Sequence, residues 1–248
     1  NIGGVDVNTT PKEIIEVHNF FEYPISFSRL DTFIKCPRRY YYQYIKNVGK
    51  PKFFNEDNRE FGANLHEALQ KYFENSPYKF NKDEFLQIYT NYEDTQLVLK
   101  NELFKIRLSK FEKEQNLHFQ KGFSVWKCEL KIRSEFNGLP IEGKIDRVDI
   151  NGDEIWLIDY KSGNLDTQSF QLAFYEMLYL AEFHQEAKGY FYSLKDNKFE
   201  SSNKKIDELS RILNKLKELS GSQICFKQNT KNCSQWCPYQ TLCLRELR

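Results

Sequence analysis

Apolar positions along the chain follow two periods, and the change between them predicts the fold. Over 57–75, Phe61, Leu65, Ala68, Leu69, Tyr72 and Phe73 recur at the three-to-four-residue spacing of a helix with one buried face. Residues 82–120 hold few helix breakers and predict two more helices or one broken helix. Upstream, Ser28-Arg29-Leu30-Asp31 has the form of a capping box and predicts a helix start. Pro37 should interrupt that helix and open a second one as its first residue, where its missing N–H costs nothing. Residues 1–25 show no period and read as an irregular lead-in.

From 123 to 133 the period becomes two. Trp126, Cys128, Leu130 and Ile132 alternate with Lys127, Glu129 and Lys131, predicting a strand with one buried face. A turn at Asn137-Gly138 leads into a second strand at 139–150, and a third follows at 154–161. A helix at about 167–184, a strand at 189–195 and a helix at about 203–219 come next, and the tail at 221–248 reads as loop. This order predicts an α/β fold of the α+β type, with a mixed sheet and helices around it. One domain is expected over 26–248, with a helical region at about 57–120, a sheet region at about 123–195 and a cysteine-rich tail.

The 248 residues suffice for a large core, and 40% hydrophobic with 29% charged residues fits a soluble globular chain. No apolar run approaches the roughly 18 residues that read as a membrane-spanning helix, so no membrane partner is expected. No basic, apolar leader opens the sequence, which suggests a cytoplasmic setting. The first residue is Asn1, which fits a domain cut from a longer polypeptide. A net charge of +1 argues against nucleic-acid binding by bulk charge. Yet Lys35, Arg38, Arg39, Lys46, Lys50 and Lys52 interleave with Tyr40, Tyr41, Tyr42 and Tyr44. That mixture suits phosphates and unstacked bases, or else a helix with half-buried tyrosines and solvated charges.

Four short segments carry candidate chemistry. In Trp156-Leu157-Ile158-Asp159-Tyr160-Lys161-Ser162-Gly163, the acid and the base are two apart on a strand and share a face. In Gly143-Lys144-Ile145-Asp146-Arg147-Val148-Asp149, the preceding strand can bring Asp146 alongside. Two converging carboxylates suit Mg²⁺ or Mn²⁺, which can activate water and offset charge on a phosphoryl oxygen, with Lys161 assisting. The plain alternative is a surface Asp–Lys pair at a strand end. His66, in Phe61-Gly62-Ala63-Asn64-Leu65-His66, is a further ligand or a satisfied core histidine. Gln171 and Tyr175 lie four apart on one helix face, to hold a phosphate or water or simply to pack.

Cys36, Cys128, Cys225, Cys233, Cys237 and Cys243 occur without a secretion signal, so a disulfide framework is not expected. Cys233, Cys237 and Cys243 lie within eleven residues and lack a fourth partner, for which Cys36 is the natural candidate and Cys225 the substitute. Four thiolates fit a [4Fe–4S] cluster or Zn²⁺, and spacing does not separate the two. Cys128 and Cys225 read as small core residues.

The four chemical segments resemble, in order, the G-x-x-x-H, G-x-I-D-R, I-D-Y-K-S-G and Q-x-x-x-Y pattern of the RecB-like branch of PD-(D/E)XK nucleases, from about Ser26 to Cys243. The resemblance implies a restriction-endonuclease-like core and a metal-dependent deoxyribonuclease. It further implies Mg²⁺ or Mn²⁺ on His66, Asp146, Asp159 and the Tyr160 carbonyl, catalysis by Asp146, Asp159 and Lys161, and a catalytic or DNA-contacting role for Gln171 and Tyr175. Glu129 falls where many members have an acid; its alternation lets it reach the site or face solvent. The cysteines resemble those of AddB-type helicase–nucleases and of a CRISPR-associated branch, with one early and three late. This implies a [4Fe–4S] staple on Cys36, Cys233, Cys237 and Cys243, although the usual C-x2-C-x5-C spacing is one residue longer here. DNA repair or recombination, exonuclease action on single-stranded DNA or DNA ends, contacts from Arg38, Arg39, Tyr41 and Gln171, and a helicase domain or subunit as partner are the corresponding expectations. The alternatives are the CRISPR-associated branch, a non-catalytic DNA-binding module on the same fold and, more distantly, a zinc-stabilised structural protein. No G-x-x-x-x-G-K-[ST] loop is present, so the chain is not itself a motor of that type.

Overall fold

The computed structural model describes residues 13–49, 56–93, 95–229, 231, 233 and 237–245. The chain divides into two compact units, 55–214 and 1–54 with 215–248.

The larger unit contains helices α3 (Glu56–Asn75), α4 (Lys82–Tyr89) and α5 (Val98–Gln120), the last preceded by a 3-10 turn at Thr95–Leu97. The expected break within 82–120 therefore makes two helices. Helix α4 starts cleanly because the Asn81 side chain accepts from the Asp83 and Glu84 N–H groups, and those two acids oppose the helix dipole. Strands β2 (Ser124–Phe136), β3 (Leu139–Asn151), β4 (Glu154–Lys161), β5 (Lys188–Ser193) and β6 (Lys198–Glu200) form one sheet in that order. The β4–β5 pair is parallel and the rest antiparallel, the mixed sheet expected. Asn137 and Gly138 both adopt positive φ, 50° and 81°, as a two-residue hairpin turn demands. The parallel crossover runs through α6 (Gln171–Phe183).

The core of this unit is aromatic. Tyr72, Phe80, Phe85 and Phe111 from the helical region pack with Ile158, Tyr160 and Tyr192 of the sheet. Helix α6 sits close on the sheet because of two glycines. A Cβ on Gly143 would stand 2.8 Å from Leu178 Cδ2, and one on Gly189 2.8 Å from Leu172 Cβ. The Gly189 N–H donates to Glu176 Oε1 at 2.7 Å, which fixes the helix along its axis.

In the smaller unit, β1 (Ile15–His18) pairs antiparallel with β7 (Ser222–Cys225). Helix α1 (Phe27–Lys35) is followed by α2 (Pro37–Tyr40), with Pro37 in its first turn as anticipated, and by a π-helical turn at Tyr41–Ile45. Helix α7 (Ile206–Leu219) spans the boundary in sequence, and α8 (Gln240–Arg245) closes the described tail.

Several sequence expectations require correction. The lead-in and tail contain β1 and β7, which no local pattern signals: Ile15 and Val17 are exposed, and the partners are some 200 positions apart. The α1 cap is Ser26, whose hydroxyl accepts from Arg29 N at 3.4 Å, so the helix begins before Ser28. A register shift between Val125 and Lys127 turns Trp126 outward, leaving it 45% exposed, while Val125 takes the inward position. Cys128 is buried as expected, whereas Cys225 is only partly so. Among the described residues no helix is long and apolar enough to cross a membrane.

Candidate metal centre

The candidate centre lies where the sheet forks. Pairing of β3 with β4 runs from Asn151–Glu154 to Arg147–Ile158, and the next pair would be Asp146 with Asp159. In place of a ladder bond there, the Tyr160 N–H donates to the Asp146 side chain, Oδ2, at 2.9 Å. On β2, Glu129 adopts φ 51°, so the backbone is irregular on this side too. The space opened by the two irregularities receives side chains.

His66 of α3, Glu129 of β2 and Asp146 of β3 offer ligand atoms that all lie within 4.8 Å of one another. His66 Nδ1 is 3.4 Å from Asp146 Oδ2, and Lys144 forms an ion pair with Glu129. One imidazole and two carboxylates make an oxygen-rich set suited to a hard divalent ion. Glu129, which the alternation left open, thus reaches the centre.

Beside this group, Asp159 and Lys161 face Gln171 at the first turn of α6. Lys161 Nζ stands 2.6 Å from Asp159 Oδ2 and donates to Gln171 Oε1 at 2.8 Å. Gln171 Nε2 donates to Asp159 Oδ1 at 2.8 Å and to the Tyr175 hydroxyl at 3.0 Å. The Gln171 amide therefore holds both members of the acid–base pair. Asp159 Oδ2 is buried and receives no aligned hydrogen bond; the Lys161 contact is ionic only. A buried carboxylate oxygen with spare capacity is what a cation site requires. Asp159 nonetheless stands outside the His66–Glu129–Asp146 group among the described residues. Tyr160, between them on β4, has its ring in the core and its hydroxyl on Arg147.

Charge is concentrated here. Burial, then the neighbouring Asp146 charge, push the Asp159 carboxyl up to about 6, against the pull of Lys161 and His66. Burial opposes the charged form of His66, but its bond to Asp146 and the charges of Asp146, Asp159 and Glu129 outweigh this and raise its pKa. Burial, reinforced by Asp159 and Asp146, raises the Tyr175 phenol well above its ordinary value, so it remains a neutral hydroxyl.

Sequence reasoning missed the polar network beneath the centre. Arg147 is fully buried: its Nε bonds Asp149 Oδ1 at 2.7 Å, and one terminal nitrogen bonds Gln115 at 2.7 Å and the Tyr160 hydroxyl at 2.9 Å. His118 Nε2 lies 2.8 Å from Asp149 Oδ2. The available signal was parity: Arg147 and Asp149 are two apart on a strand, so they share a face that Asp146 does not.

The predicted base-binding run is occupied otherwise. Arg38 is 4% exposed and donates from Nε to the Phe226 carbonyl at 2.8 Å; Tyr41 is buried with its hydroxyl on Glu16 at 2.7 Å. Both are internal fixtures of the smaller unit, unavailable to bases or phosphates in this arrangement. Lys35 and Lys46 pair with Asp31 and Glu16. Arg39 is half-buried, and Lys50 and Lys52 lie outside the described residues.

Cys36, Cys233, Cys237 and Cys243 are free thiols of the smaller unit. Burial first, and then the neighbouring Cys36, Cys233 and Cys237, push Cys243 up to about 11 despite Arg38. No three of their sulfurs lie within 4.8 Å of one another, so they do not form a tight cluster. A zinc tetrahedron with Zn–S bonds of about 2.3 Å needs a closer set.

The sequence family described as the PD-(D/E)XK nuclease superfamily matches residues 24–244. No curated protein matches the chain. Among solved structures, a Eubacterium rectale protein provisionally described as an exonuclease is similar at 12% identity, with 88% of each chain covered and a TM-score of 0.51. That likeness concerns the fold. A second structure, of SSO0001, covers 92% of this chain and 89% of its own at 14% identity, with a TM-score of 0.34 that supports no argument.

Proposed function

Since this chain belongs to the PD-(D/E)XK nuclease superfamily, we propose that it hydrolyses DNA phosphodiester bonds using Mg²⁺ or Mn²⁺ held at the sheet fork. The observation that carries this reading is the convergence of His66, Glu129 and Asp146 within 4.8 Å, alongside the Asp159–Lys161 pair clasped by Gln171. His66, Asp146 and Glu129 would hold the ion, with Asp159 and the Tyr160 carbonyl completing the shell. A divalent ion bound there supplies Lewis acidity and lowers the pKa of a bound water. Lys161 places its ammonium where charge grows on the phosphoryl oxygens. Gln171 keeps Lys161 and Asp159 in register, and Tyr175 anchors Gln171.

Action on single strands or ends, membership in the RecB-like branch, a role in DNA repair or recombination, and work beside a helicase belong to the same reading. So does a [4Fe–4S] cluster on Cys36, Cys233, Cys237 and Cys243. Its support is the donor set alone: four free thiols of the smaller unit, one early and three late in the chain.

End-labelled single- and double-stranded DNA, incubated with and without Mg²⁺ or Mn²⁺, tests the activity. Cutting should require the ion and vanish in Asp159→Ala and Lys161→Ala while both variants stay folded. Cutting at the parent rate by both would place the chemistry elsewhere.

A further inference from the structure

Next to the proposed metal centre, the larger unit contains a cleft of about 310 Å³ whose lining combines Phe61 and Phe104 with Lys100, Arg107, Ser162 and Lys195. Its wall is continuous with the centre along the chain, because Ser162 directly follows Lys161. The two phenylalanine rings meet edge to face at 6.5 Å and give the cleft an apolar, aromatic wall. Among the described residues, the charged side chains that line it are all cationic. Lys105, on the same helix, is neutralised by Glu93 and Glu102 at 2.7 and 3.0 Å. Lys100 and Arg107 have no acidic partner within ion-pair distance among the described residues, and Lys195 makes only a 3.3 Å bond to the Asn164 side chain. Among the described residues, no aspartate or glutamate lines the cleft.

An aromatic wall with an all-cationic, hydroxyl-bearing rim matches the two faces of a nucleotide: a flat base that stacks and a phosphate that needs positive charge. The volume lies at the lower end of the ~300–1,000 Å³ typical of small-ligand clefts, room for one such unit. A base paired within a duplex cannot present its face to a side wall, so the occupant is an unpaired nucleotide. We infer that this cleft is a subsite for one nucleotide of a single DNA strand, flanking the phosphate that is cut. The inference rests on the nuclease reading and adds to it a place for an unpaired nucleotide and three phosphate-binding residues, Lys100, Arg107 and Lys195.

The test uses the full chain and a fluorescein-labelled oligo(dT) probe, with binding followed by anisotropy across a salt series without divalent ions, so that nothing is cut. Lys100→Ala/Arg107→Ala should lower the slope of log affinity against log salt by about 1.4, at roughly 0.7 per phosphate contact on a single strand. Relative to 1 M salt, that is a loss of about 25-fold at 0.1 M. Lys195→Ala, at an exposed position, should give about half that slope change and provides the answer if the double variant misfolds. Lys113→Ala/Arg133→Ala removes the same charge away from the cleft and should keep the parent slope. If the parent cuts labelled DNA while the cleft variants bind with parent affinity and slope, the subsite is wrong and the nuclease stands. If the parent neither binds nor cuts DNA, both readings fall.

Discussion

Replacing Arg147 by Met tests the physical reasoning most severely, because nothing about Arg147 touches the proposed chemistry directly. Arg147 and Asp149 are both 0% exposed and joined by a two-pronged ion pair. Truncating Arg147 leaves the Asp149 carboxylate buried with, among the described residues, His118 as its remaining side-chain partner, and takes a donor from Gln115 and Tyr160. Breaking such a pair from one side costs about 3–5 kcal/mol, against about 5–15 kcal/mol for whole domains. Replacing both members by apolar residues of similar size removes the stranded charge and is often neutral or better. Arg147→Met should therefore be severely destabilised, and Arg147→Met/Asp149→Leu should recover most of the loss. Trp156 reports on this region, since its ring lies 4.8 Å from that of His118. Urea unfolding followed by tryptophan fluorescence should show the midpoint falling by about 1 M or more in the single variant, for a slope near 3 kcal/mol/M. A single variant within about 1 kcal/mol of the parent, or a double variant worse than the single, would refute the account of a desolvated pair whose members each need the other.

Asp159 gives a pH-dependent prediction. Its folded pKa of about 6 lies above an unfolded value of about 3.9, so its contribution to stability is full below the lower value and is lost as pH rises through the upper one. In EDTA at pH 7.5, Asp159→Asn should melt above the parent, by at most about 3 kcal/mol of stability, with the gap closing toward pH 4; calorimetry across pH reads this, and an Asn variant that melts lower at pH 7.5 sinks it. Adding Mg²⁺ should narrow or reverse the gap, because the parent, with Asp159 completing the shell, gains more from a ligand that binds the folded state. For the thiols, protein purified without oxygen should carry iron and sulfide in near-equal amounts, lost in Cys36→Ala; stoichiometric zinc in a colourless sample would rule out the cluster.

What was legible in the sequence followed period and local order. The strand at β2 and the acid–base pair two apart on β4 need only strand geometry, and both stand in the structure, although the inward face of β2 departs from strict alternation at Trp126. Long-range choices were not legible. Whether Arg38 meets a phosphate or a carbonyl depends on Phe226, 188 positions away, and no local window contains that. The tyrosine run at 40–44 has the composition of a base-stacking surface, but Tyr41 and Tyr42 are buried with rings against Phe226 and Tyr239 of the chain's other end, and Tyr40 is buried among His18, Phe20 and Phe33. Glu129 shows the same limit on a smaller scale. Alternation gave its face, while its entry into the centre goes with a positive φ that composition does not announce.

The Asp146–Asp149 segment links both kinds of information. Its charges alternate between two destinations: Asp146 enters the centre, while Arg147 and Asp149 enter the core. Tyr160 joins the two layers, since its N–H holds Asp146 and its hydroxyl holds Arg147. A carboxylate bound to a backbone N–H of a strand, whose side chain is itself tied to a fully buried ion pair, keeps its orientation before any cation arrives. That is preorganisation in the sense required for transition-state stabilisation. It also explains how a sheet can open between Asp146 and Asp159 without leaving the Tyr160 N–H unsatisfied, because the ladder bond lost at the fork is replaced by the side chain that the fork displays.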